Sequence, residues 1–346
     1  MRKLLLFFLF IAFLNKTSVA QDVQFSQFYA APTYQNPAFA GSAHATRAIF
    51  QNRLQWPGIG GANSFGGLST YSTSLFTADT YFDKYRSGVG IVAMRDWQGG
   101  STLASTQIGL QYAYELPISN TFSFRPGLQL DYVNRSVDYS KLRFPQDFND
   151  QTGYTGNTVP AGVPNKQYAD ISSGMMFYSE QLWVGLSAHH MNRPNQSFQG
   201  NTSLVPIEWG LTAGYKIHLG KRNYLAYLER AKEISITPTI YYKKQGQSDQ
   251  VDAGIYLIYD QLMAGLWYRG LPLKKYDDIQ NNESLIILLG WKFNAFSIGY
   301  SYDFTVSRLQ TVRTGGSHEL NITYVHQKSH KYKPMKRLPC PSFYKN

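Results

Sequence analysis

Polar and apolar side chains alternate with a period of two along most of this chain. Phe296, Ile298, Tyr300, Tyr302 and Phe304 interleave with Ser297, Gly299, Ser301, Asp303 and Thr305. Ile108, Leu110, Tyr112 and Tyr114 do the same with Gln107, Gly109, Gln111 and Glu115. Further stretches set Phe122, Phe124, Leu128, Leu130 and Tyr132 against Ser123, Arg125, Gly127, Gln129 and Asp131, and Trp209, Leu211, Ala213, Tyr215 and Ile217 against Gly210, Thr212, Gly214, Lys216 and His218. A strand turns successive side chains to opposite faces, so each stretch has one greasy and one polar face, whereas a helix would scatter the same residues round its circumference.

Extending the rule predicts strands near 44–54, 68–77, 87–98, 102–115, 122–137, 166–178, 181–192, 206–218, 233–244, 248–259, 262–270, 283–292, 295–307 and 317–327, fourteen in all. A soluble β-sandwich also alternates, but its strands average about 5–6 residues, and a tilted strand crossing a bilayer needs about 10. The connections alternate in length by parity: Ser179-Glu180, Asp260-Gln261 and Phe293-Asn294 are minimal, while 138–165, 193–205 and 271–282 are long. Gly99-Gly100 and 219–232, the latter long enough for one helical turn, are the exceptions. Short turns on the periplasmic side and long loops outside are the habit of bacterial outer-membrane barrels. Aromatic pairs such as Tyr112 and Tyr114, Tyr241 and Tyr242, and Trp267 and Tyr268 are expected at membrane girdles. Pro126 and Pro238 fall inside alternating runs and cannot donate to a ladder, so each marks a kink or break in pairing, or a lateral opening in the wall.

Composition fits this architecture. The chain has 26 Tyr, 21 Phe and 29 Gly in 346 residues and only 16% charged residues, against about a quarter in soluble domains. Its longest late apolar run, Leu285 to Gly290, is far too short for a membrane helix. Arg2 and Lys3, the apolar stretch Leu4 to Leu14 and the small residues Ser18-Val19-Ala20 form a secretory leader. The expected organisation is a signal peptide over 1–20, an N-terminal periplasmic or plug segment over 21–43, the barrel over 44–327 and a basic tail over 328–346. In fold class this is an all-β, antiparallel up-and-down transmembrane barrel of about fourteen strands, with both ends expected in the periplasm.

Charge changes the picture only at the end of the chain. Removing Arg2, Lys3 and Lys16 takes the formal net charge from +11 to +8, and Lys328, Lys331, Lys333, Lys336, Arg337 and Lys345 carry six of those eight charges. The tail is therefore either a disordered basic extension or a docking peptide for a periplasmic partner, with Lys331, Lys333, Lys336, Arg337 and Cys340 as candidate docking residues. Nucleic acid is not an expected target in that compartment. Cys340 is the single cysteine, so no internal disulfide is available.

No catalytic chemistry is expected. His189, His190, His218, His318, His326 and His330 have no nucleophile motif around them, and no G-x-S-x-G occurs. Adjacent His189 and His190 are expected on opposite faces of a strand, which removes them as a joint metal site; no cofactor is indicated. Gln107, Gln111, Glu115, Arg125, Gln129, Asp131, Lys216 and Asp303 face inward and either line an aqueous pore or pair within a plugged interior. A barrel of this size is too wide for its wall side chains alone to fill.

The N-terminal segment carries a more specific signal. Gln24-Phe25-Ser26-Gln27-Phe28-Tyr29, Ala31-Pro32 and Asn36-Pro37-Ala38-Phe39-Ala40-Gly41, continuing into Arg47, Asn52-Arg53, Trp56-Pro57 and Tyr71-Ser72, resemble the opening of the PorP/SprF family of Bacteroidota. Leu338-Pro339-Cys340-Pro341-Ser342-Phe343 is similar to tails in part of that family. The resemblance implies an outer-membrane component of the type IX secretion system, some members of which serve gliding motility. It also implies partners among secreted, adhesin-like surface proteins and periplasmic secretion components, and it brings no catalytic residues. The competing reading is a passive or ligand-selective channel with an N-terminal plug.

Overall fold

A computed structural model of the chain describes residues 22–59, 71–100, 102–142, 148–149, 153–154, 163–219, 234–276, 279–307 and 314–326. The strands are β1 (Thr46–Gln55), β2 (Tyr71–Phe82), β3 (Ser87–Gln98), β4 (Leu103–Tyr114, resuming at Leu116–Pro117) and β5 (Ser123–Val137). Next come β6 (Asn165–Tyr178), β7 (Leu182–His189), β8 (Glu208–Tyr215, resuming at Ile217–His218), β9 (Ile234–Gln245) and β10 (Ser248–Tyr259). Last are β11 (Leu262–Tyr276), β12 (Ile279–Phe293), β13 (Phe296–Thr305) and β14 (Ser317–His326). Each pairs antiparallel with its neighbours in sequence, and β1 pairs with β14 from Thr46↔His326 to Gln55↔Ser317. The sheet is therefore a closed fourteen-strand barrel without edges.

The alternation read from the sequence sets the two faces. Ile108, Leu110, Leu128, Leu130, Trp209 and Phe304 are exposed on the outside, while Gln111, Arg125, Gln129, Asp131 and Asp303 are buried inside. No helix is long and apolar enough to cross a membrane among the described residues. Two expected girdle residues are exceptions: Tyr241 and Trp267 point inward and are buried. They belong to an apolar patch that includes Tyr256, Met263, Ile286 and Leu288, which explains why the run Leu285 to Gly290 is apolar on both faces of β12.

The prolines act locally. Pro126 pairs with Met175 of β6, but opposite it the β4 ladder stops between Ala113↔Gly127 and Leu116↔Phe124. Pro238 likewise pairs with Ile255 of β10, and the β8 ladder stops between Gly214↔Thr239 and Ile217↔Ile236. A ring nitrogen without a hydrogen removes a bond on one side only, so each proline interrupts the neighbouring strand.

Connections divide less cleanly than the parity rule suggests. At the rim where β1 begins and β14 ends, 83–86, 118–122, 179–181, 260–261 and 294–295 are short, and 219–233 is the long exception. At the opposite rim, 138–164 and 190–207 are long, with a small ribbon pairing Phe148–Asn149 with Gly153–Tyr154. There, however, 246–247 is also a tight turn, and β11 and β12 extend past the expected loop 271–282 to leave only residues 277–278 between them. The possible helical turn in 219–232 lies almost wholly outside the described residues.

Residues 22–45 do not continue the wall. They form a 3-10 turn (Phe28–Ala30), a single helical turn α1 (Pro32–Gln35) and a second 3-10 turn (Pro37–Phe39). Their hydrogen bonds reach β1, β2, β4, β5, β6, β7, β9, β10, β11, β13 and β14, so the segment runs inside the ring. Gly41 bonds Asp79 near the rim where β1 begins and β14 ends, the strand-end rim, whereas Asp22 bonds Gln245, the last residue of β9, at the opposite rim with the long connections, the loop rim. Thr46 and His326 thus share one rim, and the first described residue, Asp22, sits by the other.

Candidate functional site

Charged wall residues hold the backbone of the inner segment at two levels. Near the loop rim, the amides of Ser26 and Gln27 each donate to the Glu319 carboxylate at 2.7 Å. Arg53 bridges Glu319 at 3.2 Å and Asp303 at 2.9 Å. Arg269 donates to Asp252 at 2.9 Å, Asp303 at 3.2 Å and the Phe25 carbonyl at 3.4 Å. At the strand-end rim, Arg125 donates to the carbonyls of Ala38 and Ala40 and pairs with Glu115, which also accepts from Tyr178. Beside it, Arg47 pairs with Asp79 at 2.8 Å and reaches the Phe39 carbonyl, while Asp79 accepts from the Gly41 amide. Arginine meets carbonyls and carboxylate meets amides, so main-chain groups taken from water are satisfied by charge-assisted bonds.

Between these levels the contact is steric. Phe28 and Tyr29 pack on Tyr241, Tyr256 and Trp267 with ring centroids 5.3–5.6 Å apart. Below them, the run Asn36 to Gly41 lies against wall glycines. Asn36 donates to the carbonyls of Met175 and Leu186 and accepts from the Ala38 amide. A methyl group on Gly127 would collide with the backbone of Pro37 and Ala38, and one on Gly88 with that of Ala40. The Asn-Pro-Ala-Phe-Ala-Gly motif is thus one half of a main-chain contact whose other half is glycine on β3 and β5.

The upper end of the segment is latched by ions. His190 lies 2.5 Å from both Asp22 and Asp170. It follows β7 with a left-handed φ of 58°, which turns its ring inward. His189 also faces inward, against Ser172 and the Gln35 carbonyl, so the expectation of opposite faces fails because the strand ends between the two residues. Burial alone would raise the Asp22 carboxyl, but the charge and hydrogen bond of His190 bring it down to about 2. Burial alone would lower the His190 imidazole, but Asp22 and Asp170 push it up to about 11.

The sign of the pH dependence follows. His190, raised on folding, contributes fully below about pH 6.5 and loses that contribution as pH climbs towards about 11. Asp22, depressed on folding, contributes above about pH 4 and loses it as pH falls towards about 2. We expect His190→Gln to lower the urea midpoint of the detergent-solubilised protein most between these limits, near pH 5–6. A difference that stays flat from pH 4 to pH 10 would show that the contact is not ionic.

Residues 22–24 stand between two cavities at the loop rim, of about 130 Å³ and about 470 Å³. The smaller is bounded by Phe28, Tyr34, Tyr241, His189, Glu208 and Lys243 among others. Of the inward residues expected from the alternation, Gln111, Glu115, Arg125, Gln129, Asp131 and Asp303 meet in the lumen, Gln107 is half-buried beside the smaller cavity, and Lys216 is half-buried at the break in β8. His318 bonds the Tyr300 hydroxyl towards the outside, and His218 and His326 are exposed. His330 and the candidate docking residues Lys331, Lys333, Lys336, Arg337 and Cys340 lie outside the described residues. Arg269, Glu319 and Asp79 were not singled out in the sequence; the available signal was charge at inward positions of strands with greasy outer faces.

The profile of a family described as type IX secretion system membrane protein PorP/SprF matches residues 17–324. No curated protein matches the chain by sequence. Among solved structures, the outer membrane protein Omp33 of Acinetobacter baumannii is similar at 8% identity and a TM-score of 0.43, over 83% of this chain and 100% of that one. A deltaS2S3 mutant of the TodX monoaromatic hydrocarbon channel is similar at 12% identity and a TM-score of 0.44, over 85% and 92%. A Pseudomonas aeruginosa FadL homologue follows at 12% and 0.40, over 85% and 94%. Likeness at this level carries no functional argument. The family profile spans nearly the whole chain from before the inner segment to within β14, and the chain belongs to the PorP/SprF family of type IX secretion system membrane proteins.

Proposed function

We propose that this barrel is a plugged outer-membrane scaffold of the type IX secretion system that supports secretion or surface attachment of a partner protein, such as an adhesin, with a link to gliding motility. The observation that carries this reading is the inner segment. Residues 22–45 are held by Arg47, Arg53, Arg125 and Arg269, all of them buried, in an arrangement suited to a permanent plug. A barrel closed in this way has its loops and ends left for function. On this reading residues 1–20 are removed as a leader, the rim of short turns faces the periplasm, and the basic tail from Lys328 docks on periplasmic secretion components through Lys331, Lys333, Lys336, Arg337 and Cys340. Asp22 then stands by the rim of the long loops, so on this reading only the end that follows β14 keeps the periplasmic position expected for both ends.

Two measurements on intact cells test this. With Cys340 replaced by serine, a single cysteine in place of Gln247 is expected to react with a membrane-impermeant maleimide, and one in place of Asn294 only after the outer membrane is opened. Deletion of 328–346 is expected to leave the barrel assembled while periplasmic components no longer co-purify; unchanged partners would sink the docking role. A channel reading would instead require a steady open pore from the intact protein in planar bilayers.

A further inference from the structure

Among the described residues, the larger cavity at the loop rim, about 470 Å³, is bordered by Asp22, Asp96, Glu283 and Asp303 and by a single cation, Arg53. The charge of Asp22 is answered by His190, and Asp303 meets Arg53 and Arg269 through Oδ2. Asp303 Oδ1 is buried and has no hydrogen-bond partner. Asp96, 3% exposed, takes hydrogen bonds from two neutral donors, Thr73 Oγ1 and Gln98 Nε2, each at 2.7 Å. Glu283 is more open and shares Arg269 at 3.6 Å. Carboxylate charge is therefore in excess in a space large enough for a long side chain. Trp56 and Tyr71, ring centroids 5.8 Å apart at 82°, border the same cavity.

We propose that this vestibule receives a basic side chain, arginine or lysine, of a polypeptide docking on the loop rim. Carboxylates beside aromatic faces hold guanidinium and ammonium groups through charge-assisted hydrogen bonds and cation–π attraction. An anion is disfavoured by the surplus of acid. A divalent metal ion is a poorer occupant, because it needs several oxygens converging on one point, and among the described residues no group of three or more His, Cys, Asp or Glu side chains is placed to hold one. Gln55, Trp56, Ser307 and Ser317 end or flank strands at the loop rim and border the cavity, so it is approached from that side. The proposal deepens the reading that a partner protein meets this rim and rests on it for the partner's location.

The test uses the full chain in detergent micelles and a fluorescent tri-arginine peptide read by anisotropy. We expect saturable binding that weakens with added salt, no binding of tri-glutamate, and no displacement by an equal concentration of spermidine. The double variant Asp96→Asn/Glu283→Gln is expected to weaken binding by about tenfold or more, and Trp56→Leu, a milder change at the rim, to weaken it by about threefold. Both comparisons are made on variants whose melting temperature matches that of the parent. Absence of saturable binding, equal binding by Trp56→Leu and the parent, or spermidine binding as tightly as the peptide would overturn the proposal. Peptide binding as expected, with no surface partner co-purifying from cells, would sink the secretion reading and leave the vestibule assignment standing.

Discussion

Replacing residues 25–41 with a glycine-serine spacer of equal length is expected to raise the single-channel conductance of the barrel well above that of the intact protein. The replaced stretch supplies Phe25, Phe28, Tyr29, Tyr34 and Phe39, which fill the space that the wall leaves open, and the run Asn36 to Gly41, which lies on the wall glycines. A spacer of glycine and serine fills little of that volume, and a barrel of fourteen strands is too wide to close itself. Wall ion pairs such as Arg47 with Asp79 and Arg125 with Glu115 remain available to each other, so the ring itself should assemble. Planar-bilayer recordings of the parent and variant, after both are shown to have the same strand content, give the comparison. Equal conductance would mean that the lumen is closed by the loops instead. A variant that fails to assemble would mean that the segment is a core on which the barrel folds, and the plug would then be a structural element before it is a functional one.

The wall was legible because a period of two is written locally: each strand declares its lipid face through residues such as Leu128 and Leu130, whatever its neighbours are. All fourteen expected strands have observed counterparts, with the largest displacement where β11 and β12 run on through polar residues that carry no alternation. The prolines were legible as breaks but not as breaks in the adjacent strand, because that depends on register. The lumen was much less legible. Tyr241 and Trp267 face inward because Phe28 and Tyr29 lie opposite them, a pairing across more than two hundred positions that no local pattern encodes. His190 escaped for a different reason: a single left-handed residue at the end of β7 turned a ring that strand parity assigned elsewhere.

Arg269 is where the largest loss of stability is expected. Its side chain is fully buried, and its guanidinium meets Asp252, Asp303, the Phe25 carbonyl and the Ser26 hydroxyl. Arg269→Met keeps much of the volume but leaves carboxylates without their cation, and breaking a buried pair in this way costs about 3–5 kcal/mol. Arg269→Lys should fall between the two, since a single ammonium cannot reproduce a planar fork that serves acids and a carbonyl together. The source of the loss can be separated from the loss itself. If the cost comes from the orphaned acid, Arg269→Met/Asp252→Asn should be more stable than Arg269→Met alone, because the amide needs no counter-charge, its oxygen can still accept from one of Gln24 and Gln250, and its NH2 can donate to the other once that side-chain amide turns over. Urea unfolding of the parent, Arg269→Met, Asp252→Asn and the double variant in one detergent measures the cycle. A loss below about 1 kcal/mol for Arg269→Met, with no rescue in the double variant, would mean that water reaches these charges as it reaches surface pairs, and the lumen around Ser26 would then be wet despite the segment that fills it.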